Sequence, residues 1–243
     1  MKRKIITTSD GSKTIFLPEW KEHYHSIHGA IQEAYHVFLK HGLFHLYSER
    51  KSSLKVTSNA VEKPHNLLND NVSILEIGFG TGLNTFITLL EAEKLNLKID
   101  YVGVEAFPVS MDEVSELDYS KQLKVEIKTS AFNKLHEVPW EKSCLISDDF
   151  KLTKRRLDFS EIRDINTYDL IYFDAFGARV QPELWTETIF RKMYNSLKEN
   201  GILVTYSAKG SVRRAMKDVG FAVERLDGPP GKREMLRAKK LNF

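Results

Sequence analysis

Cysteine is almost missing from this chain. Cys144 is the only one, which excludes an intramolecular disulfide and any cysteine-cluster metal site. Long apolar runs are missing too: none approaches the ~20 residues of a membrane-spanning helix. The N-terminus, Met1-Lys2-Arg3-Lys4, is basic, but no long apolar segment follows it, so a signal peptide is not expected. Gly-x-Ser-x-Gly, Gly-x-x-x-x-Gly-Lys-Ser/Thr and His-Glu-x-x-His are all absent, which weakens the hydrolase, nucleotide-hydrolase and metalloprotease readings. A large charge of one sign is lacking as well, since 36 Lys and Arg face 33 Asp and Glu. A net charge of +3 is too small to argue for nucleic acid by itself. The expectation is a cytoplasmic enzyme with no membrane segment and no bound metal.

What is present is ordinary in bulk. Hydrophobic residues make up 42% and charged residues 28% of 243, as in a globular chain of one domain with an appendage. The division expected is an N-terminal extension over residues 1–70 and a main domain over 71–243. The charge is unevenly spread. Residues 209–240 hold ten Lys and Arg against four Asp and Glu, a surplus of six positive charges that leaves the rest of the chain at −3. Such asymmetry marks either a polyanion-binding face or a solvated surface. The sequence does not fix an oligomeric state, and a monomer is consistent with it.

The chain is organised around Val72-Ser-Ile-Leu-Glu-Ile-Gly78-Phe-Gly80-Thr-Gly82-Leu-Asn84. Val72–Ile77 suits a buried strand, and Leu83, Phe86, Ile87 and Leu90 repeat at helical spacing. Between them lie three glycines at alternate positions. A missing Cβ permits the unusual dihedrals of a tight turn and lets a ligand touch the backbone. The helix start adds unpaired N–H donors. A dinucleotide fingerprint would need glycine at position 83, where leucine stands.

Upstream, residues 4–17 read as a hairpin with a Ser-Asp-Gly-Ser turn, residues 27–40 as a helix, and residues 48–71 as a polar helix and loop. Downstream, strands are expected at 72–77, 99–104, 168–173, 201–206, 221–226 and 233–239. Helices are expected at 83–94, 109–117, 183–198 and 210–219. Within 119–167 the pattern gives two or three strands and one short helix near 130–137, in no fixed order. This alternation predicts an α/β fold with a mainly parallel sheet covered on both faces. Ligands of such sheets sit beyond the C-terminal strand ends, where Glu76, Glu105 and Asp174 fall.

Glu105 ends a strand 27 positions after Gly78 and suits two ribose hydroxyls, the alternative being an ordinary surface acid. Asp158 suits an adenine amino group or, equally, a helix cap. Asp174 opens into the cleft with Phe176 close behind it, an arrangement suited to a cationic or amine substrate. Trp185 reads as core. Six of the eight histidines fall between residues 23 and 45. His23-x-His25-x-x-His28 lacks a carboxylate partner at ligand spacing, so substrate-side histidines are expected rather than a metal site.

Gly-x-Gly-x-Gly with Glu76 two residues ahead resembles motif I of S-adenosylmethionine (SAM) methyltransferases. Later stretches resemble one family among them, the methyltransferase domain of MnmC, also found as the stand-alone MnmD. They are Gly78-Phe-Gly-Thr-Gly-Leu-Asn84, Glu105-Ala-Phe-Pro108, Asp174-Ala-Phe176 with Pro182-Glu-Leu-Trp185, Thr205-Tyr-Ser-Ala-Lys-Gly-Ser-Val-Arg-Arg214 with Gly220-Phe221, and Gly231-Lys-Arg-Glu-Met-Leu236. Tyr24-His-Ser26, Gly29, Glu33 and Val37-Phe38 resemble the family's entry segment. Together these stretches run from about residue 15 to 238.

The resemblance implies a Rossmann-like SAM-dependent methyltransferase fold, with an antiparallel C-terminal strand and a small N-terminal hairpin and helix extension. It implies SAM as cofactor, tRNA as partner, and methylation of the aminomethyl group at C5 of a wobble uridine, often 2-thiolated. No chain remains for the oxidase domain of the bifunctional protein, so the expected substrate is a tRNA whose aminomethyl-uridine arises without it. Carried onto this sequence, the cofactor residues are Glu76, Gly78, Gly80, Gly82, Asn84, Glu105 and Asp158. Asp174 is catalytic. Tyr24, Ser26, Phe176, Arg213, Arg214, Lys232 and Arg233 lie on the substrate side, the last four facing tRNA phosphates. Ala178 stands where the family usually has proline, and Pro229-Pro230 where a glycine–aromatic pair is common. Two alternatives are a SAM methyltransferase acting on a small amine or another RNA, and a non-catalytic RNA-binding protein on the same scaffold. Gly80, Glu105 and Asp174 argue against the second.

Overall fold

A computed structural model describes residues 2–57 and 71–242 of the chain. It opens with a three-stranded antiparallel sheet of β1 (Lys4–Thr7), β2 (Lys13–Leu17) and β3 (Glu22–His23). A helix follows as α1 (Ala30–Ala34), a π-helical stretch over Tyr35–Leu43, and α2 (Phe44–Thr57). The spacing predicts this helix over 27–40, but its start is set by the hairpin turn. Ser12 Oγ accepts from Ala30 N–H at 3.0 Å and Asp10 Oδ2 from Gln32 N–H at 3.2 Å, so donors that a helix end leaves open are capped from a distant turn. Gly42 lets the π-helical stretch press on the main sheet, since a Cβ there would stand 3.1 Å from the Tyr172 ring. Of the expected loop over 48–71, residues 58–70 lie outside the described ones.

The main chain then alternates: β4 (Asn71–Ile77), α3 (Leu83–Leu95), β5 (Lys98–Val104), α4 (Met111–Leu117), α5 (Tyr119–Gln122), α6 (Thr129–Glu137), β6 (Ser143–Ser147), β7 (Phe150–Arg155), β8 (Tyr168–Phe173), α7 (Glu187–Ser196), β9 (Leu197–Thr205), α8 (Gly210–Asp218), β10 (Ala222–Asp227) and β11 (Glu234–Lys239). Eight strands form one sheet in the order β10-β11-β9-β8-β4-β5-β7-β6. The five strands β9, β8, β4, β5 and β7 are parallel. β11 inserts antiparallel between β9 and β10, as expected of the C-terminal strand. Residues 119–167 hold α5, α6, two 3₁₀ turns and the antiparallel pair β6–β7, one helix more than the pattern gives.

β8 is buried at every position, which is why the apolar run Leu170–Phe173 reads as a central strand. The expected helix over 183–198 is shorter. Pro182–Trp185 forms a 3₁₀ turn, α7 ends at Ser196, and β9 starts at Leu197. Asn200 adopts φ +61°, and the register with β8 shifts between Tyr168 and Leu170. The strand therefore absorbs a bulge that its polar Lys198-Glu199-Asn200 run hides from the pattern. The N-terminal segment shares the core: Ile15, Leu17, Val37 and Phe38 cluster with Ile74, Tyr101 and Tyr172. That packing holds residues 20–33 over the C-terminal ends of β4 and β8.

Candidate active site

A cavity of about 1250 Å3 opens at the C-terminal ends of the parallel strands. The β4–α3 loop forms one wall. Gly78, Gly80 and Gly82 take φ of +90°, +49° and +72°, the left-handed region that side chains avoid. A Cβ on Gly78 would stand 2.7 Å from the Asp174 carbonyl oxygen, so the loop and the end of β8 touch backbone to backbone. Glu76 lies beneath this loop, fully buried, and accepts from Thr85 Oγ1 at 2.8 Å. Burial pushes its carboxyl up to about 8. It is not among the residues lining the cavity, so it supports the loop from below.

Glu105 lines the cavity. Its Oε2 accepts from Gly80 N–H at 3.0 Å and its Oε1 from Phe107 N–H at 2.9 Å. Burial raises its carboxyl above the ordinary range, and these two donors pull it back. Arg3 ties the loop after β5 to the N-terminal segment. It donates to Phe107 O at 2.6 Å and Pro108 O at 3.1 Å, and pairs with Glu113 at 3.2 Å. Asp158 lines the cavity from the other side and also caps a 3₁₀ turn, accepting from Ser160 N–H at 2.8 Å.

Asp174 sits where β8 ends. Asn84 Nδ2 donates to its Oδ2 at 2.9 Å, while Asn84 Oδ1 is buried with no partner among the described residues. Burial, then the Glu33 carboxylate, push Asp174 up to about 7; Asn84 and the Lys232 ammonium pull it down. Aromatic rings wall this end. Phe176 meets Tyr24 edge-on at 5.0 Å between centroids and Trp20 at 5.5 Å. Trp185 is buried core, as expected, and its indole N–H donates to Phe176 O at 2.8 Å.

The substrate-side residues divide. Tyr24, Ser26, Phe176 and Lys232 line the cavity; Arg213, Arg214 and Arg233 do not. Lys232, read from the sequence as a phosphate contact, points inward. Its Nζ pairs with Glu33 and lies 3.7 Å from the centre of the Tyr206 ring. Three more of the ten basic residues over 209–240 are also held by carboxylates: Arg225 by Glu234, Arg237 by Glu224 and Lys239 by Glu49. Arg214 and Arg233 are exposed and Arg213 half-buried.

His23, His25 and His28 line the cavity, but His23 stacks on Phe16 and His25 shares a 3.0 Å hydrogen bond with Thr14. Among the described residues no group of three or more His, Cys, Asp or Glu is disposed to hold a metal, and no helix is long and apolar enough to cross a membrane. Sequence reasoning missed Arg3, Glu33 and Tyr206. Of these, Glu33 and Tyr206 carried a signal only as members of the stretches that resemble the family, with no role attached.

A model of a family described as S-adenosyl-L-methionine-dependent methyltransferase matches residues 111–241. Among curated relatives, the tRNA 5-methylaminomethyl-2-thiouridine biosynthesis bifunctional protein MnmC of Leptospira borgpetersenii is 29% identical over 187 residues, covering 70% of this chain and 27% of the relative. The protein of the same name from Hydrogenovibrio crunogenus is 27% identical over 223 residues, covering 87% of this chain and 30% of the relative. The chain thus spans about a third or less of the length of these relatives. Among solved structures, MNMC2 from Aquifex aeolicus superposes with a TM-score of 0.70 at 24% identity, over 100% of this chain and 72% of that one. Spermidine synthase from Thermotoga maritima gives 0.55 at 14% identity, over 98% and 69%. At these identities both show the fold alone, a mainly parallel α/β sheet of the Rossmann-like kind.

Proposed function

The chain belongs to this family of S-adenosyl-L-methionine-dependent methyltransferases, and from that premise we propose that it methylates the aminomethyl nitrogen at C5 of a wobble uridine or 2-thiouridine in tRNA. The observation that carries the proposal is Asp174. It is a half-buried carboxylate at the open end of β8, walled by aromatic rings and poised near neutrality. The names of the bifunctional relatives supply the substrate class.

The residues present fit SAM. The glycine turn leaves its backbone bare, Glu105 offers a carboxylate suited to two hydroxyls, Asp158 can receive an amino group, and the unpartnered Asn84 Oδ1 seeks a donor. When bound, SAM supplies a methyl group made electrophilic by its sulfonium. The protein's own work lies on the amine. An aminomethyl group is mostly protonated at neutral pH and has no free lone pair. Asp174 orients the ammonium and takes one proton from its nitrogen, and its position near the working pH suits a general base. Once that proton has been relayed to solvent, the carboxylate is again charged, and it faces the positive charge that forms as the nitrogen gains a fourth substituent. Phe176, Tyr24 and Trp20 exclude water and limit the amine's freedom, the contribution of holding reactants in line.

The N-terminal extension, 1–70, acts through residues 20–33 as a substrate-side cap over the catalytic domain, 71–243. Arg213, Arg214 and Arg233 meet tRNA phosphates outside the cavity. The enzyme works in the cytoplasm, with tRNA. The test is incubation with SAM and tRNA bearing 5-aminomethyl-2-thiouridine, followed by nucleoside mass spectrometry. The expected product is the methylaminomethyl nucleoside. Methylation of free small amines but not of tRNA would favour the small-amine reading, and SAM binding without transfer to any amine would favour a binding protein.

A further inference from the structure

The cavity floor holds two carboxylates and one ammonium, and proton transfer through Asp174 uses only one of the three. Glu33, on α1, is 6% exposed. One of its oxygens accepts from Ser26 N–H at 2.7 Å and the other takes Lys232 Nζ. Lys232 enters from the loop between β10 and β11 and rests on the face of Tyr206, whose hydroxyl donates to Ala175 O at 2.8 Å beside Asp174. An ammonium between a carboxylate and an aromatic face is bound as amines are bound. The same cavity therefore contains a cation of its own that competes with a substrate's cation for any carboxylate within reach.

We propose that Glu33 is a positioning residue that holds the Lys232 ammonium away from Asp174, leaving the Asp174 carboxylate open for the substrate's amine. This rests on the amine-methylation reading. Charge balance supports it. With a protonated amine bound, Glu33 matches Lys232 and Asp174 matches the substrate, so these four groups carry no net charge. Without Glu33, Lys232, whose side chain is 31% exposed, becomes an unpaired, partly buried cation that already acts on the Asp174 carboxylate. Uncompensated charges of this kind are strongly disfavoured. The groups facing Asp174 are Glu33 from α1, Lys232 from the β10–β11 loop, Tyr206 after β9, Glu76 from β4 and the neutral Asn84 from α3. Glu33 raises the proton affinity of Asp174 and Lys232 lowers it. The two act as a matched pair.

The test compares Glu33→Gln, Lys232→Met and the double variant with the intact protein on aminomethyl-uridine tRNA. Wild-type methylation of that tRNA is established first; its absence would count against the function itself, a result distinct from any difference among the variants. Glu33→Gln should lower kcat/KM for tRNA by about 100-fold, the scale of losing a general base. It should leave the SAM dissociation constant within about twofold, because SAM binding does not use this pair. Removing the stranded cation in Glu33→Gln/Lys232→Met should restore most of that loss. A double variant no better than Glu33→Gln, or a Glu33→Gln enzyme as active as wild type, overturns the proposal. Lys232→Met supplies a readout that does not depend on Glu33→Gln folding. It removes the pull on Asp174 and keeps the repulsion, so the acidic limb of the pH–rate profile should move to higher pH. An unmoved limb also overturns it.

Discussion

Asn84 Nδ2 donates to Asp174 Oδ2 at 2.9 Å, so the first turn of the helix after the glycine loop holds the carboxylate at the end of the neighbouring strand. This one hydrogen bond couples the cofactor side of the cavity to its reactive end. It favours the ionised carboxylate, so losing it raises the proton affinity of Asp174. Asn84→Ala should shift the acidic limb of kcat/KM upward from near pH 7. Activity should then fall more at pH 6.5 than at pH 9. A loss equal at both pH values would mean that Asn84 acts only through cofactor binding.

Glu105 should govern cofactor affinity. It is half-buried, accepts two backbone N–H groups, and faces the cavity beside the glycine loop. Glu105→Ala should weaken SAM binding by ~1–3 kcal/mol, the cost of an unpaired polar partner. Titration calorimetry with the purified protein measures it, and an unchanged affinity removes Glu105 from the site.

Glu76 gives a stability signature of unusual sign. Its folded-state proton affinity, raised by burial to about 8, lies far above that of an unfolded glutamate. The folded protein therefore binds the extra proton, and stability from this group falls as pH rises toward 8. Asp174, at about 7, acts in the same direction. The histidines His25 and His136, lowered by burial to about 4 and about 3, destabilise instead as pH falls below their ordinary range. The cleanest window is thus pH 6.5 to 8. Melting temperature should decline across it, and Glu76→Gln, which copies the neutral form, should flatten that decline.

Much of this arrangement was legible in the sequence. β8 matches its expected span of 168–173 because a strand buried on both faces leaves the apolar run Leu170–Phe173, its one acid, Asp169, being paired with Lys198 and Arg50. Gly78, Gly80 and Gly82 were legible because only a special backbone needs three glycines so close. Other features depend on contacts between residues far apart in the chain. Glu33 and Lys232 are 199 positions apart, and no local pattern announces their pairing or turns Lys232 inward. The start of α1 is fixed by Asp10 and Ser12 of a distant turn. Asp158 admitted two readings, and its capping bond to Ser160 is compatible with a place on the cavity wall.

The basic C-terminal face should bind tRNA through Arg213, Arg214 and Arg233, with Lys232 excluded by its inward pairing. Removing one phosphate-binding cation reduces the slope of log affinity against log salt by about one. Arg213→Glu with Arg233→Glu should weaken tRNA binding and flatten that slope by about two, with SAM affinity intact. A slope equal to wild type would identify a merely solvated surface.

The central claim is that Asp174 takes the proton from the substrate's amine, and single-turnover methylation by Asp174→Asn from pH 6 to 9 tests it most directly. Asparagine keeps the shape and removes the charge. The account predicts a rate lower by ~100-fold or more, within the range for loss of a general base, no acidic limb near pH 7, and SAM affinity little changed. A variant that methylates aminomethyl-uridine tRNA at near wild-type rate across that range would contradict it.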